Sequence, residues 1–200
     1  HCPWCANPES IPIESYPCFS ADLMEYSLDE IKQEILSSKM MFFENGGVTF
    51  TGGEPTLQFE ALNELLSWLK EEEINTAIET NGTHKSLYKL SEKIDYFMID
   101  FKHGDEQVHK KLTGIGNKVI KENIKYLVKN HPSVIIRIPL IGGYNTDKKA
   151  LDGFIEFFES LNYPKFSVEL LTYHEYGRHK WEQCGKEYPV KNGHVGTTIV

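Results

Sequence analysis

Two hundred residues, 40% of them hydrophobic, suffice for one domain with a sizeable core or for two small ones. A formal charge of −8 argues against a nucleic-acid partner held on a broad basic surface, and no apolar run approaches the ~20 residues that span a bilayer. No basic segment followed by an apolar stretch marks a signal peptide, so a cytoplasmic protein without membrane or nucleic-acid partners is expected. The chain starts on His1 rather than Met, which leaves room for upstream sequence.

The first element is His1-Cys2-Pro3-Trp4-Cys5. Two cysteines three positions apart suit one edge of a metal site, and three readings compete. Structural zinc wants two well-spaced pairs, a thioredoxin-like pair wants a preceding strand, and an iron–sulfur cluster wants more than two thiolates. Spacing alone does not choose among them. The remaining cysteines are Cys18 and the remote Cys184. That is a poor disulfide framework for a chain of this length, so a reduced compartment is expected, with Cys18 and Cys184 as packing or surface thiols.

Ser27-Leu28-Asp29-Glu30 is a capping-box start, and Ile31, Ile35 and Leu36 stripe the helix after it. Val48-Thr49-Phe50-Thr51 is β-prone and ends in Gly52-Gly53-Glu54-Pro55, with Pro55 suited to a first helical position. Leu57, Leu62, Leu65, Leu66 and Leu69 then share one helical face. Strands follow at Asn75 to Glu79 and Tyr96 to Asp100, separated by a short helix over Lys85 to Ser91. Helices at 107–112 and 118–128 lead into a strand at Val134 to Ile138. A helix over 148–161 and a strand from Phe166 to Leu171 complete the series. Such apolar strands, alternating with helices, predict a parallel α/β sheet, open or curled into a barrel, covered by helices on both faces.

Glu54, Glu79, Asp100, Lys102, Arg137 and His174 all fall at or just past the C-terminal end of a predicted strand. In α/β barrels that rim carries the active site. Any one of them alone reads as a solvated loop residue. Glu79-Thr80-Asn81-Gly82 by itself is a turn, and Asp100-Phe101-Lys102 suits either a zwitterionic ligand or a rim salt bridge. The recurrence on successive strands carries more weight than its members.

The ordered set resembles a known family. Cys2-Pro3-Trp4-Cys5-Ala6-Asn7-Pro8-Glu9-Ser10 is similar to the end of the CxxxCxxC signature of radical S-adenosylmethionine enzymes, in particular of the branch that activates glycyl-radical enzymes. Gly47 to Pro55, Glu79 to Gly82, Met98 to Lys102 and Tyr173 to Trp181 match that branch in the same order. The resemblance implies one radical SAM domain over residues 1–200. It would be a partial (β/α)6 barrel whose first strand and first cluster cysteine lie upstream of His1. No ferredoxin-like insert is implied, because only Cys18 stands between Cys5 and Gly52.

The resemblance further implies a [4Fe–4S] cluster on Cys2 and Cys5, and S-adenosylmethionine bound by Trp4, Cys5, Ala6, Asn7, Gly52, Gly53, Glu54, Asp100, Phe101, Lys102, Arg137, Pro139 and His174. A monovalent cation, Na+ or K+, is implied at Glu79, Thr80, Met98 and Asp100, although Glu79 stands where the pyruvate formate-lyase type has Asp. The implied activity is generation of a 5′-deoxyadenosyl radical that installs a glycyl radical on a partner such as a pyruvate formate-lyase-like enzyme. Flavodoxin or ferredoxin would supply the electron, and no side-chain base is called for. The alternatives are a radical enzyme acting on a small molecule or peptide, and a non-catalytic partner-binding protein of the same fold.

Overall fold

The computed structural model describes residues 2–10, 25–163 and 165–194. Five strands, β1 (Gly47–Phe50), β2 (Asn75–Thr80), β3 (Tyr96–Asp100), β4 (Val134–Leu140) and β5 (Ser167–Thr172), form an all-parallel sheet in the order β1-β2-β3-β4-β5. Parallel neighbours need a crossover, and helices provide most of it. These are α1 (Leu28–Ser38), α2 (Phe59–Glu71), α3 (Glu106–Thr113), α4 (Lys118–Asn130), α5 (Lys148–Leu161) and α6 (Arg178–Gln183).

Local chemistry sets most helix ends. Ser27 completes the capping box, its backbone N–H donating to Glu30 Oε2 at 2.7 Å while its hydroxyl accepts from Glu30 N. Asp105 and Asp147 cap α3 and α5, and Gly114 closes α3 in the left-handed region that its missing Cβ permits. The segment Lys85–Ser91, expected as a short helix, is a single 3₁₀ turn over Leu87–Leu90. Ser86 makes no side-chain cap, and burying Leu87 and Leu90 three residues apart needs only that one tight turn. A second 3₁₀ turn, Pro55–Gln58, precedes α2, with Pro55 at its first position.

The expectation of helices on both sheet faces is corrected. Ile78, Phe97, Ile99, Val134, Ile136 and Ile138 point to one face and pack with Leu62, Leu66, Ile124, Leu127, Phe154 and Phe157 from α2, α4 and α5. The alternate residues of β2, β3 and β4 are only half-buried and include Glu79, Asp100 and Arg137. Charged side chains cannot be sealed beneath an apolar helix without partners, so this face forms the inner side of the sheet. A smaller core under α1 gathers Ile35, Leu65, Leu69 and Ile74.

Register then lines up the chemistry. Glu79 lies beside Met98, Asp100 beside Arg137, and Arg137 beside Glu169. Because side chains alternate along a strand, these residues share the inner face at its C-terminal end.

Candidate cofactor site

Beyond β1 the chain makes the Gly52-Gly53 turn, where Gly52 has φ +119°, a conformation that L side chains rarely adopt. Gly53 abuts the cysteine-bearing segment: a Cβ there would lie 2.9 Å from Ser10 Oγ. Glu54 follows, and its carboxylate is fully engaged. Oε1 accepts from Thr56 N at 3.1 Å, from the Thr56 hydroxyl and from the Thr80 hydroxyl at 2.7 Å; Oε2 accepts from Asn81 N at 2.7 Å. Glu54 therefore staples the loop after β1 to the end of β2.

The charges of the inner face are paired. Lys102 Nζ lies 2.7 Å from Asp100 Oδ2, and its side chain is 15% exposed. Burial pulls the Lys102 pKa down, but Asp100, with Cys2 and Glu54, outweighs it, so the ammonium is held above its ordinary range. Arg137 reaches over β3 to Glu79, with Nη1 2.9 Å from Oε1, while Thr51 donates to Glu79 Oε2 at 3.1 Å. Arg137 Nε lies 3.3 Å from Glu169 Oε2 yet is buried without a hydrogen bond, so that contact is misaligned.

Cys2 and Cys5 are free thiols on a half-buried segment, with Cys5 N donating to Cys2 O at 3.1 Å. Burial pushes the Cys2 thiol up to about 11, with Lys102 pulling the other way, and burial raises Cys5 as well. Thiols in such surroundings keep their protons at neutral pH unless a metal replaces them. Trp4 stands edge-on to Tyr144 with ring centroids 5.8 Å apart, and its buried Nε1 has no hydrogen-bond partner among the described residues.

Most residues expected at the site converge on this rim, but not all do. Phe101 is fully buried against Phe154 and Phe157, on the helical side of the sheet. Asn7 accepts from Lys180 at 2.8 Å. His174 is exposed and stacks on Tyr176 at 4.3 Å. Met98 lies beside Glu79 in the ladder, and the Thr80 hydroxyl serves Glu54. Cys184 is buried and disulfide-bonded, which corrects the thiol reading; Cys18 lies outside the described residues.

Three buried asparagines escaped the sequence reading. Asn123 donates to Gly82 O and His84 O after β2, and Asn117 to His103 O and Gly104 O after β3. Asn145, with no exposed surface, donates to Pro139 O at 2.7 Å and Lys102 O at 3.1 Å and accepts from Ile141 N at 2.8 Å. They hold the loops that carry the rim. Nothing in their local sequence distinguishes them from ordinary turn and helix-surface residues.

A glycine turn, two thiols and paired charges of both signs thus meet at the C-terminal ends of parallel strands. The family model for the radical SAM superfamily matches residues 1–155.

The chain belongs to the radical SAM superfamily.

This radical SAM chain is 37% identical over 191 residues to the 4-hydroxyphenylacetate decarboxylase activating enzyme of Clostridioides difficile (strain CD196), a match covering 94% of this chain and 60% of that protein. It is 36% identical over 201 residues to the pyruvate formate-lyase-activating enzyme of Staphylococcus aureus (strain USA300), covering 96% and 77%. Among solved structures, a domain of the pyruvate-formate lyase-activating enzyme from Bacteroides vulgatus ATCC 8482 matches with a TM-score of 0.57 at 29% identity, over 72% of this chain and 97% of that one. The five strands are thus a partial α/β barrel of the radical SAM type. The chain spans 60% of the length of the Clostridioides relative.

Radical SAM membership implies a [4Fe–4S] cluster and S-adenosylmethionine. The donor set suits both. Two free thiols without a disulfide suit iron, and Lys102 is the nearby cation that offsets thiolate charge. Trp4 Nε1 and Arg137 Nε are buried donors without a hydrogen bond among the described residues.

Proposed function

We propose that this chain is the catalytic core of an activating enzyme for a glycyl-radical enzyme of the pyruvate formate-lyase type. The observation that carries the reading is the meeting of the cysteine-bearing segment with the rim, through Ser10 at Gly53 and through Cys2 beside Lys102. The relatives' names, all activating enzymes, support the same reading. Cys2 and Cys5 would hold two irons of the cluster. Trp4, Ala6, Asn7 and His174 would border the nucleoside of S-adenosylmethionine, and Gly52 and Gly53 its amino group. Asp100 and Lys102 would contact its ribose and carboxylate region, with Arg137 and Pro139 at the end of β4.

When bound, the cluster and S-adenosylmethionine supply the radical that removes hydrogen from a glycine of the partner. The chain's own residues orient and shield. Lys102 keeps its positive charge beside the thiols, and Asn145 fixes the Lys102 carbonyl against that of Pro139. Exclusion of water matters at such a centre, and on the inner face the ligand and the partner would have to complete it. Flavodoxin or ferredoxin would deliver the electron in the cytoplasm. Among the described residues no helix is long and apolar enough to cross a membrane.

A monovalent cation, Na+ or K+, belongs to the same proposal at Glu79, Thr80, Met98 and Asp100. Glu79 and Asp100 already face Arg137 and Lys102, so the ion would enter with a change of partners. Equal affinity for S-adenosylmethionine in sodium, potassium and tetramethylammonium buffers would remove the ion from the scheme.

The principal test is anaerobic reconstitution of the full protein with iron and sulfide, followed by reduction with S-adenosylmethionine and a pyruvate formate-lyase-like partner. The expected results are 5′-deoxyadenosine and a glycyl-radical EPR signal, both lost in Cys2→Ala and Cys5→Ala. Cleavage without a glycyl radical on any candidate partner would move the target to a small molecule or peptide. Full iron occupancy without cleavage would leave a binding protein.

A further inference from the structure

The cysteine-bearing segment is a turn at Cys2–Cys5 followed by a short 3₁₀ helix, Pro8–Ser10. Among the described residues, the hydrogen bonds within 2–10 run from Cys5 N to Cys2 O and from Ser10 N to Asn7 O, both 3.1 Å, and from the Ser10 hydroxyl to Asn7 O at 2.8 Å. Its side-chain hydrogen bonds to other described residues come from α6, and the glycine before that helix packs close. Trp181 Nε1 donates to the Cys5 carbonyl at 2.9 Å. Lys180 Nζ donates to Asn7 Oδ1 at 2.8 Å and Glu9 Oε1 at 2.7 Å. Gly177 lies so close that a Cβ there would meet Ala6 Cα and Cys5 O at 2.8 Å. Buried Trp181 also forms an apolar cluster with Tyr188 and Val190, against which Trp4 and Cys5 pack.

These contacts differ in kind, and together they fix both position and orientation. The indole N–H sets the peptide plane after Cys5. The ammonium grips the next turn at two points. The bare glycine sets how near the two segments come. We propose that Lys180 and Trp181 are positioning residues for the cysteine segment, so that α6 sets the geometry in which Cys5 is presented to iron. This rests on the reading of Cys2 and Cys5 as cluster ligands. A loop gripped at both of its turns by another segment takes part of its stability from that segment, and a metal site needs ligands held within fractions of an ångström.

Trp181→Phe keeps the ring packing and removes the N–H; Lys180→Met keeps the methylenes and removes both donors. Hydrogen exchange of the full protein without metal should show the amides of residues 5–10 exchanging about tenfold faster in each variant, as expected for one net hydrogen bond lost. Amides of β2–β4 should be unchanged, and Lys180→Arg should restore protection. After anaerobic reconstitution, Trp181→Phe should shift the EPR g-values of the reduced cluster at unchanged iron content. Wild-type exchange at residues 5–10 in both Trp181→Phe and Lys180→Met would overturn the proposal. So would acceleration spread equally over β2–β4, or unaltered g-values in Trp181→Phe. Failure of the wild type to take up iron would instead refute the ligand reading and leave the exchange result standing.

Discussion

Glu54→Gln separates two roles that the sequence merges. If the carboxylate exists to meet a ligand's ammonium group, the ligand-free protein should scarcely notice the amide. The structure predicts otherwise. Three donors converge on Oε1 and a fourth, Asn81 N–H, on Oε2. An amide has one acceptor oxygen, so the orientation losing least keeps oxygen toward Thr56 and Thr80 and turns NH2 toward Asn81 N–H. One charge-assisted bond, worth about 1.5–3 kcal/mol, becomes a donor facing a donor, and the other three become neutral. The summed loss should be about 2–4 kcal/mol, a large part of the ~5–15 kcal/mol of a typical domain. Urea unfolding without cofactors measures it through the midpoint, with the slope unchanged. Asn81 and Gly82 amides should also exchange faster. A midpoint within about 0.5 kcal/mol of wild type would refute the staple and return Glu54 to a purely ligand-binding role.

Three further outcomes follow from the same packing. Asn145→Ala leaves Ile141 N, Pro139 O and Lys102 O without their partner in a fully buried place; a loss of about 3–5 kcal/mol is expected in urea unfolding, and less than 1 kcal/mol would contradict it. Gly104 and Gly153 meet backbone to backbone, but unequally: a Cβ on Gly104 would lie 2.6 Å from Gly153 C, whereas one on Gly153 meets nothing nearer than 3.8 Å. Gly104→Ala should therefore lower the melting temperature, while Gly153→Ala, inside α5, should raise stability by about 0.5–1 kcal/mol; the reverse order would disprove the packing. His109 is buried, and desolvation holds its pKa below 6.5, so its neutral form is favoured on folding. That contribution is complete above pH 6.5 and is lost as the pH falls, because the unfolded state then binds the proton more readily. The drop in urea midpoint between pH 7.5 and 5.5 should be smaller in His109→Gln, and an equal drop would discard the assignment.

What could be read from the sequence was what local spacing encodes. The leucines at 62, 65, 66 and 69 mark the buried stripe of α2, and all five strands lie within a residue or two of their expected places. The rim residues were legible because a strand's end fixes where its last side chains go. The partners of those residues were not. Glu54 takes donors from Thr80 and Asn81, 26 and 27 positions away. Asn123 reaches back 41 positions to Gly82, and Trp181 reaches Cys5 across 176. Periodicity carries no information at such separations, and a lone Asn in a turn reads as solvated. Phe101 shows the opposite failure: it stands between two rim charges in sequence, yet strand alternation turns it into the core.

The charges of the rim fall into two kinds, and the difference bears on which of them a ligand can use. Glu54 is held by two backbone N–H groups and two hydroxyls, so recruiting it would leave those donors bare near the buried Thr56 and Thr80. Asp100, Lys102, Glu79 and Arg137 are held mainly by each other. Lys102 and Arg137 are largely buried, so neither can lose its partner without a replacement, and a zwitterion offers each member one of the right sign. Exchange at Lys102 and Asp100 therefore needs the ligand to supply both signs at once, and Arg137 Nε is a buried N–H without a hydrogen bond among the described residues. The mutually paired charges are thus the ones a ligand of both signs could re-partner, whereas Glu54 is tied to the loops on either side of it.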